Sequence, residues 1–284
     1  MLHALHTIES YPLDLRHPIF ACYPAIKYGE RQAIYHYAKL LAPLAEQTIM
    51  KARGRECVLI SPPVRHLPSG ANLLCNELSS ILSRKLEGQA RIDQQRLRLT
   101  DKVESFRTDA EFRAYGDYAR LDFKTRCQVQ HDEESLEYNA RALEGREVIF
   151  INDINVTGSQ LRWIRLVLRK AKPHAIHFLL IVNTVGHIGR RFPHLESEIN
   201  GSSLDGPDEL VMLLRESDVR YTGKLVARLL GLSAQGLDRV LRALDQQTRC
   251  AIIQAMFDDG SYADDLLREK LDSLHCPPET RMAA

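Results

Sequence analysis

Residues 148–160 read VIFINDINVTGSQ, the stretch with the clearest succession of structural signals in the sequence. Its first four residues are apolar and have the length of a buried strand, and an apolar pattern typical of a helix follows over 159–171. A second apolar run, AIHFLLIV at 175–182, predicts another strand directly after that helix. Strand, helix and strand joined by short connections are typical of a parallel α/β sheet.

Polar residues follow the first of these predicted strands, at the edge where open α/β sheets bind ligands. Asn152 and Asp153 can both form hydrogen bonds with hydroxyl groups. The chain then turns into the helix through Asn155, Val156, Thr157, Gly158 and Ser159. Gly158 allows the backbone to close around an anion, and the helix N-terminus adds a partial positive charge. The pattern predicts a sugar-phosphate site; the alternative is an ordinary turn capped by Thr or Ser.

This stretch resembles the motif with which type I phosphoribosyltransferases bind 5-phosphoribosyl-1-pyrophosphate (PRPP): an apolar strand, two acidic residues, an apolar residue and a Thr/Gly loop. The resemblance covers residues 25–185 and implies that Asn152 and Asp153 face the ribose 2′ and 3′ hydroxyls, while residues 155–159 hold the 5-phosphate. It departs at Val156 and, more importantly, at Asn152, where the family usually has an acid. The motif is most similar to the phosphoribosyltransferase-like proteins of tellurite-resistance-type operons.

The resemblance also implies a pyrophosphate loop after the predicted strand at 57–60. Residues 61–71 read SPPVRHLPSGA, and by the resemblance Arg65, Ser69, Gly70 and Ala71 bind the pyrophosphate. An ordinary Pro-rich turn is the alternative. A flexible basic loop should precede the motif strand, and the Arg-rich residues 91–126 occupy that place. Arg96 and Arg98 are then pyrophosphate ligands and Lys102 a catalytic residue, although such charge density is also typical of a solvated helix.

The implied reaction is the transfer of phosphoribose from PRPP, bound with Mg²⁺, to an unidentified acceptor nucleophile. Asp153 would stabilise positive charge at C1, and Mg²⁺ would be held through PRPP, with Asp153 as its candidate protein ligand. Asn152 cannot act as a base, so the alternative is a catalytically weakened regulator that senses PRPP or a nucleotide and uses its C-terminal helices to bind a partner or DNA. A hydrolase or other ribose-phosphate enzyme is a third hypothesis. Homodimers are usual in the family, so a homodimer is expected.

The wider pattern predicts an α/β domain over 1–202 and a helical domain over 203–284. Within the first, we expect an extended arm or short hairpin at 1–28, a helix over 29–52 kinked or split at Pro43, a basic excursion at 91–135, and a loop-rich linker at 187–208. Residues 203–284 hold 10 Lys and Arg against 14 Asp and Glu, whereas the whole chain has 38 against 37. Residues 1–202 are therefore mildly basic, which suits a phosphate-rich ligand.

Residues 223–244, GKLVARLLGLSAQGLDRVLRAL, have the spacing of a helix-turn-helix. A DNA-binding interpretation would place Gln235, Arg239 and Arg242 in the groove. The acidic balance of residues 203–284 opposes it, because acidic surfaces repel phosphates, and the second helix carries Gly236 and Asp238. We therefore expect structural helical packing here and no nucleic-acid partner.

The composition, with 44% hydrophobic and 26% charged residues, is typical of a soluble globular protein. The first residues, MLHALHTIESYP, lack the features of a signal peptide, and no run of 18 apolar residues occurs. We expect a cytoplasmic protein without a membrane partner. The six cysteines form no C-x-x-C pair, which predicts free thiols and no structural zinc.

Overall fold

The computed structural model describes residues 1–52, 54–64, 66–99, 124, 136–201 and 206–259. Within these residues, five parallel strands form one sheet in the order β1-β7-β6-β2-β3, and two short strands, β4 and β5, form an antiparallel ribbon. The strands are β1 (Leu2–Ile8), β2 (Cys57–Ile60), β3 (Ile92–Gln95), β4 (Arg98–Leu99), β5 (Leu136–Glu137), β6 (Glu147–Asn155) and β7 (Ala175–Thr184). The predicted parallel α/β core is confirmed.

Six helices accompany the sheet in the described residues up to 201. They are α1 (Tyr23–Lys27), α2 (Arg31–Lys51), α3 (Gly70–Lys85), α4 (Ser159–Arg169), α5 (Gly186–Arg191) and α6 (Leu195–Asn200). One face of β6 packs through Ile149 and Ile151 into the core that contains α2 and α3. Its other face packs through Val148 and Phe150 into the core that contains α4. The sheet is therefore covered on both sides, which explains its continuous apolar strands.

The motif strand is longer than its apolar run. β6 continues through the polar residues and ends at Asn155, and every residue before Asn155 is buried. β6 is hydrogen-bonded to β2 on one side and to β7 on the other, and β7 supports it as far as the pair Asn155–Asn183. Pairing with a long neighbour thus extends the strand beyond the point that hydrophobicity predicts.

Four predictions about the N-terminal region need correction. The segment at 1–28 is no simple arm, because β1 is an edge strand parallel to β7, with Leu2 opposite Phe178. The helix α2 continues through Pro43, so the expected split is wrong, whereas a kink at this residue stays a prediction. Residues 92–95 of the expected excursion form the opposite edge strand, β3. Finally, the expected linker at 187–208 contains two short helices, α5 and α6.

The C-terminal helices are α7 (Pro207–Glu216), α8 (Gly223–Leu230), α9 (Ala234–Ala243) and α10 (Gln246–Asp259). They share a separate apolar core, and Tyr28 of the N-terminal region is part of it. Backbone hydrogen bonds attach the two regions: Arg31 N donates to Asp218 O, and Arg220 N donates to Gly29 O, each over 2.9 Å. A boundary between two domains at 202/203 stays a prediction.

The pair α8 and α9 has the predicted helix-turn-helix spacing. Two of the residues that a DNA-binding interpretation requires are held in ion pairs within the protein. Arg239 lies 2.6 Å from Asp208, and Arg242 lies 2.8 Å from Asp238. Both ion pairs are exposed and contribute little energy, so the acidic balance of the region remains the argument for structural packing.

Two general expectations can be compared with the described residues. No helix among them is long and apolar enough to cross a membrane. Cys22, Cys57 and Cys75 are free thiols, but Cys250 forms a disulfide, so the expectation of six free thiols is wrong.

Candidate functional site

The turn between β6 and α4 has the backbone geometry of an anion site. Gly158 precedes the first residue of α4 with φ +81°, a left-handed conformation that favours glycine. The hydroxyl of Thr157 accepts a long hydrogen bond of 3.4 Å from Ser159 N, the first amide of the helix. A Cβ atom at Gly158 would meet no atom within 4 Å, so the turn is open on that side. The buried hydroxyls of Thr157 and Ser159 flank it, with their oxygens 3.0 Å apart. Two hydroxyls and the positive end of the helix dipole therefore lie together at this turn.

The space at this point is small. A cavity of about 20 Å³ is lined by residues 154–160 and by Glu196 of α6. A cavity of this size holds about one water molecule. A phosphate group would therefore require the lining side chains to move apart.

Asp153 is buried, and each of its carboxylate oxygens has one partner. Its Oδ1 accepts a hydrogen bond from Ile154 N at 2.8 Å, and its Oδ2 lies 2.7 Å from Lys27 Nζ. Lys27 also lies 2.8 Å from Oε1 of Glu196. Burial alone would lower the pKa of Lys27, but the carboxylates of Asp153 and Glu196 outweigh it and raise that pKa well above its usual range. Lys27 is thus a buried ammonium ion shared by two carboxylates.

Asn152 points away from Asp153, because successive side chains of a strand lie on opposite faces of the sheet. Its Nδ2 donates to Ile154 O at 3.0 Å and to Oε1 of Gln160, in α4, at 2.9 Å. Both of its N–H groups are therefore used within the turn. The structure does not bring Asn152 and Asp153 together as the resemblance implies for two ribose ligands.

The end of β7 and the helix α5 close a second side of the turn. Asn155 Nδ2 donates to Asn183 Oδ1 at 2.8 Å. Gly189 of α5 lies so close to the turn that a Cβ atom there would be 1.8 Å from Val156 O. The helix α5 is therefore in direct backbone contact with the candidate phosphate loop.

The candidate pyrophosphate residues of the loop after β2 make contacts within the fold. The Ser69 hydroxyl donates to Asn72 Oδ1 at 2.7 Å and accepts from Asn72 N at 3.3 Å, which caps α3. A Cβ atom at Gly70 would lie 2.3 Å from Ile26 O, and Ala71 is buried. Their role in binding pyrophosphate stays a prediction. Arg65 and Lys102 lie outside the described residues.

Arg96 and Arg98 are exposed and follow β3 closely. Arg98 forms a backbone bridge with Val64 of the loop after β2, and Leu97 O accepts a hydrogen bond from Val64 N at 2.9 Å. The structure therefore places these two arginines beside the predicted pyrophosphate loop. β4 and β5 also pair residues 98–99 of the Arg-rich segment with residues 136–137.

The described residues contain no group of three or more His, Cys, Asp and Glu side chains that could hold a metal ion. In the motif, Asp153 is the acidic residue, and Lys27 and Ile154 already occupy its oxygens. Asp153 could serve Mg²⁺ as a single ligand, which fits a metal that arrives bound to the pyrophosphate of a substrate.

Sequence reasoning missed Lys27 and Glu196. Lys27 lies in the region interpreted as an arm and Glu196 in the expected linker. The two residues are 169 positions apart, and neither belongs to a motif. Pairing between such distant residues is set by tertiary packing and leaves no local signal in one sequence.

A parallel sheet covered on both faces, with a glycine turn and a helix N-terminus at the carboxyl end of a central strand, defines a doubly wound α/β protein with a candidate anion site at the sheet edge. The chain belongs to the phosphoribosyltransferase ComF-like family, described as "PRTase ComF-like", whose sequence model matches residues 1–274.

Solved structures similar to this chain include two purine phosphoribosyltransferases. A hypoxanthine-guanine phosphoribosyltransferase from Bacillus anthracis has 14% identity and a TM-score of 0.33, over 55% of this chain and 70% of that one. A hypoxanthine phosphoribosyltransferase from Staphylococcus aureus has 12% identity and a TM-score of 0.31, over 52% and 72%. No curated protein matches the chain significantly.

Proposed function

We propose that the protein binds PRPP and transfers its phosphoribosyl group to an acceptor nucleophile, with release of pyrophosphate. The observation that carries the proposal is the left-handed Gly158 turn, between two buried hydroxyls at the start of an 11-residue helix. Membership of the phosphoribosyltransferase ComF-like family supports the ligand class. The proposed binding residues are Asp153 and the turn formed by Asn155, Val156, Thr157, Gly158 and Ser159.

The turn would bind the 5-phosphate through backbone amides and through the hydroxyls of Thr157 and Ser159. The phosphate is an anion, and the N-terminus of α4 favours negative charge. The cavity of about 20 Å³ would have to widen for this group, so binding includes a local rearrangement of the lining residues. Arg96 and Arg98, beside the loop after β2, would face the pyrophosphate.

In the transfer step, the bond between C1 and the pyrophosphate oxygen breaks, and pyrophosphate leaves with the electron pair. Positive charge develops at C1, and a bond to the nucleophile then forms there. A buried carboxylate can stabilise such charge because the surroundings screen it weakly, and Asp153 is the candidate. When bound with PRPP, Mg²⁺ would offset the charge of the leaving pyrophosphate.

Substitutions at two buried threonines, one in the turn and one outside it, test the binding proposal. Thr157→Val keeps the shape of the side chain but removes the hydroxyl beside Gly158, and we expect about tenfold weaker binding of PRPP with Mg²⁺ in calorimetry. Thr48→Val is the matched control, because Thr48 is also buried but donates to Leu44 O inside α2. Equal PRPP affinities for both variants and the wild type would contradict the assigned phosphate loop.

A second candidate function is a sensor that binds PRPP or a nucleotide without turnover. The hydrogen bonds of Asn152 favour it, because this side chain is committed to the turn and carries no charge. Pyrophosphate release measured with a panel of nucleobases distinguishes the two. Binding together with release supports the enzyme, and binding without release from any base supports the sensor. Membership of the branch found in tellurite-resistance-type operons stays a proposal, which rests on the residues of the motif at 148–160.

A further inference from the structure

Three charged side chains meet beside the candidate phosphate loop. Lys27 Nζ lies 2.7 Å from Asp153 and 2.8 Å from Glu196, and the side chains are only 8–15% exposed. These three side chains, two carboxylates and one ammonium ion, together carry a charge of −1. Charges in such a poorly hydrated place interact strongly, because little water screens them.

Besides contacting Lys27, Glu196 lines the cavity at the turn formed by Thr157, Gly158 and Ser159. A carboxylate in this place opposes the entry of a phosphate group. It also binds the positive charge of Lys27, which a phosphorylated ligand could otherwise use. Without a ligand, however, Glu196 partly compensates the buried ammonium ion.

The packing around Lys27 also includes an aromatic ring. Tyr23 lies in the same helix and is fully buried. Lys27 Nζ is 5.6 Å from the centre of the Tyr23 ring. The ring therefore helps to hold the ammonium ion beside the two carboxylates.

We propose that Glu196 is an autoinhibitory carboxylate of the PRPP site: it blocks the phosphate loop and retains Lys27, and the incoming ligand displaces it and gains the Lys27 ammonium ion. This inference rests on the proposed function. Lys27 thereby becomes a ligand-binding residue that remains beside Asp153. The two residues affect affinity in opposite directions, Glu196 weakening PRPP binding and Lys27 strengthening it.

The first test replaces Glu196 by Gln, which keeps the shape of the side chain and removes its charge. We expect PRPP with Mg²⁺ to bind about tenfold more tightly to Glu196→Gln than to the wild type in calorimetry. Glu198→Gln is the matched control, because it makes the same change in the same helix, α6, and Glu198 does not line the cavity. Glu196→Ala serves as a second variant, monitored by thermal unfolding.

The second test concerns Lys27. Lys27→Met should weaken PRPP binding at least tenfold, whereas Lys27→Arg should retain most of it because the positive charge remains. Lys85→Met is the control for loss of one lysine, since Lys85 pairs with Glu46 at a half-exposed contact between α3 and α2.

The outcomes separate the two proposals. Tighter binding by Glu196→Gln but not by Glu198→Gln supports the autoinhibitory role. Equal affinity of wild type, Glu196→Gln and Glu196→Ala for PRPP overturns that role and leaves PRPP binding intact. If neither the wild type nor the Glu196 variants bind PRPP, the proposed function itself fails.

Discussion

The hydroxyl of Thr222 donates a 2.8 Å hydrogen bond to the carbonyl oxygen of Lys27, 195 positions away in the sequence. The same hydroxyl accepts a hydrogen bond from Leu225 N at 3.1 Å and so caps α8. Thr222 is completely buried. One side chain therefore joins the first turn of a C-terminal helix to the segment that carries Lys27, so the C-terminal helices help to position the candidate site.

Removal of the Thr222 hydroxyl should destabilise the protein more than removal of an ordinary helix cap. We expect Thr222→Val to lower the free energy of unfolding by about 2–3 kcal/mol, because the cap and the bond to Lys27 O are both lost. Ser233→Ala, which removes only the exposed cap of α9, should cost about 1 kcal/mol. Urea unfolding measures both values, and equal losses would show that the bond to Lys27 contributes nothing.

A methyl group added to α5 should disturb the candidate phosphate loop, which α5 contacts directly. Gly189→Ala would place its Cβ 1.8 Å from Val156 O, and such overpacking typically costs about 1–3 kcal/mol. Gly186→Ala is the control, because a Cβ there meets only the Arg190 side chain, at 3.7 Å. Thermal unfolding should show a lower Tm for Gly189→Ala and little change for Gly186→Ala. An unchanged Tm for both would mean that α5 can withdraw from the turn without cost.

Glu147, the first residue of β6, should be important for stability. It is buried and lies 3.0 Å from His177 Nε2 and 3.4 Å from Arg55 Nη1. Glu147→Gln should lower the free energy of unfolding by about 1–3 kcal/mol, because it removes the charge from these contacts. Glu144→Gln, at an exposed position three residues earlier, should change it by less than about 0.5 kcal/mol. If the chemical unfolding curves of the two variants coincide, the contacts of Glu147 do not stabilise the fold as predicted.

Cys75 should be inert in the folded protein. It is fully buried, and burial raises the pKa of its thiol to about 12, whereas the thiolate is the form that reacts with alkylating agents. Iodoacetamide at pH 8 should therefore modify Cys75 only after unfolding, and peptide mass spectrometry can follow it. The half-buried Cys22 is the internal comparison and should react earlier. Simultaneous modification of both thiols under native conditions would contradict the buried placement of Cys75.

The centre of the fold could be predicted because its signals are local. The apolar runs that became β2, β6 and β7, and the glycine turn before α4, are each visible within a few residues. The edge strands were missed for a physical reason. β1 and β3 are only partly buried, so their sequences carry polar residues and lack the continuous apolar run of a central strand.

The candidate site was predictable only in part, for a related reason. The motif identified Asp153 and the turn at Gly158, but the strand continues through Asn152, which places its side chain on the opposite face. The partners of Asp153 come from α1 and α6. Long-range ion pairs depend on how distant helices pack, and no periodicity or spacing in a single sequence records that.

The position of β1 has a consequence for how the chain is made. The first strand pairs with β7 alone, so its hydrogen-bonding partner is synthesised some 175 residues later. A ribosome adds about 5–20 residues per second, and the nascent chain must therefore keep this strand unpaired for many seconds. Completion of the sheet edge is then a late event in biogenesis, and truncated chains that end before β7 would expose an unmatched strand to other proteins in the cell.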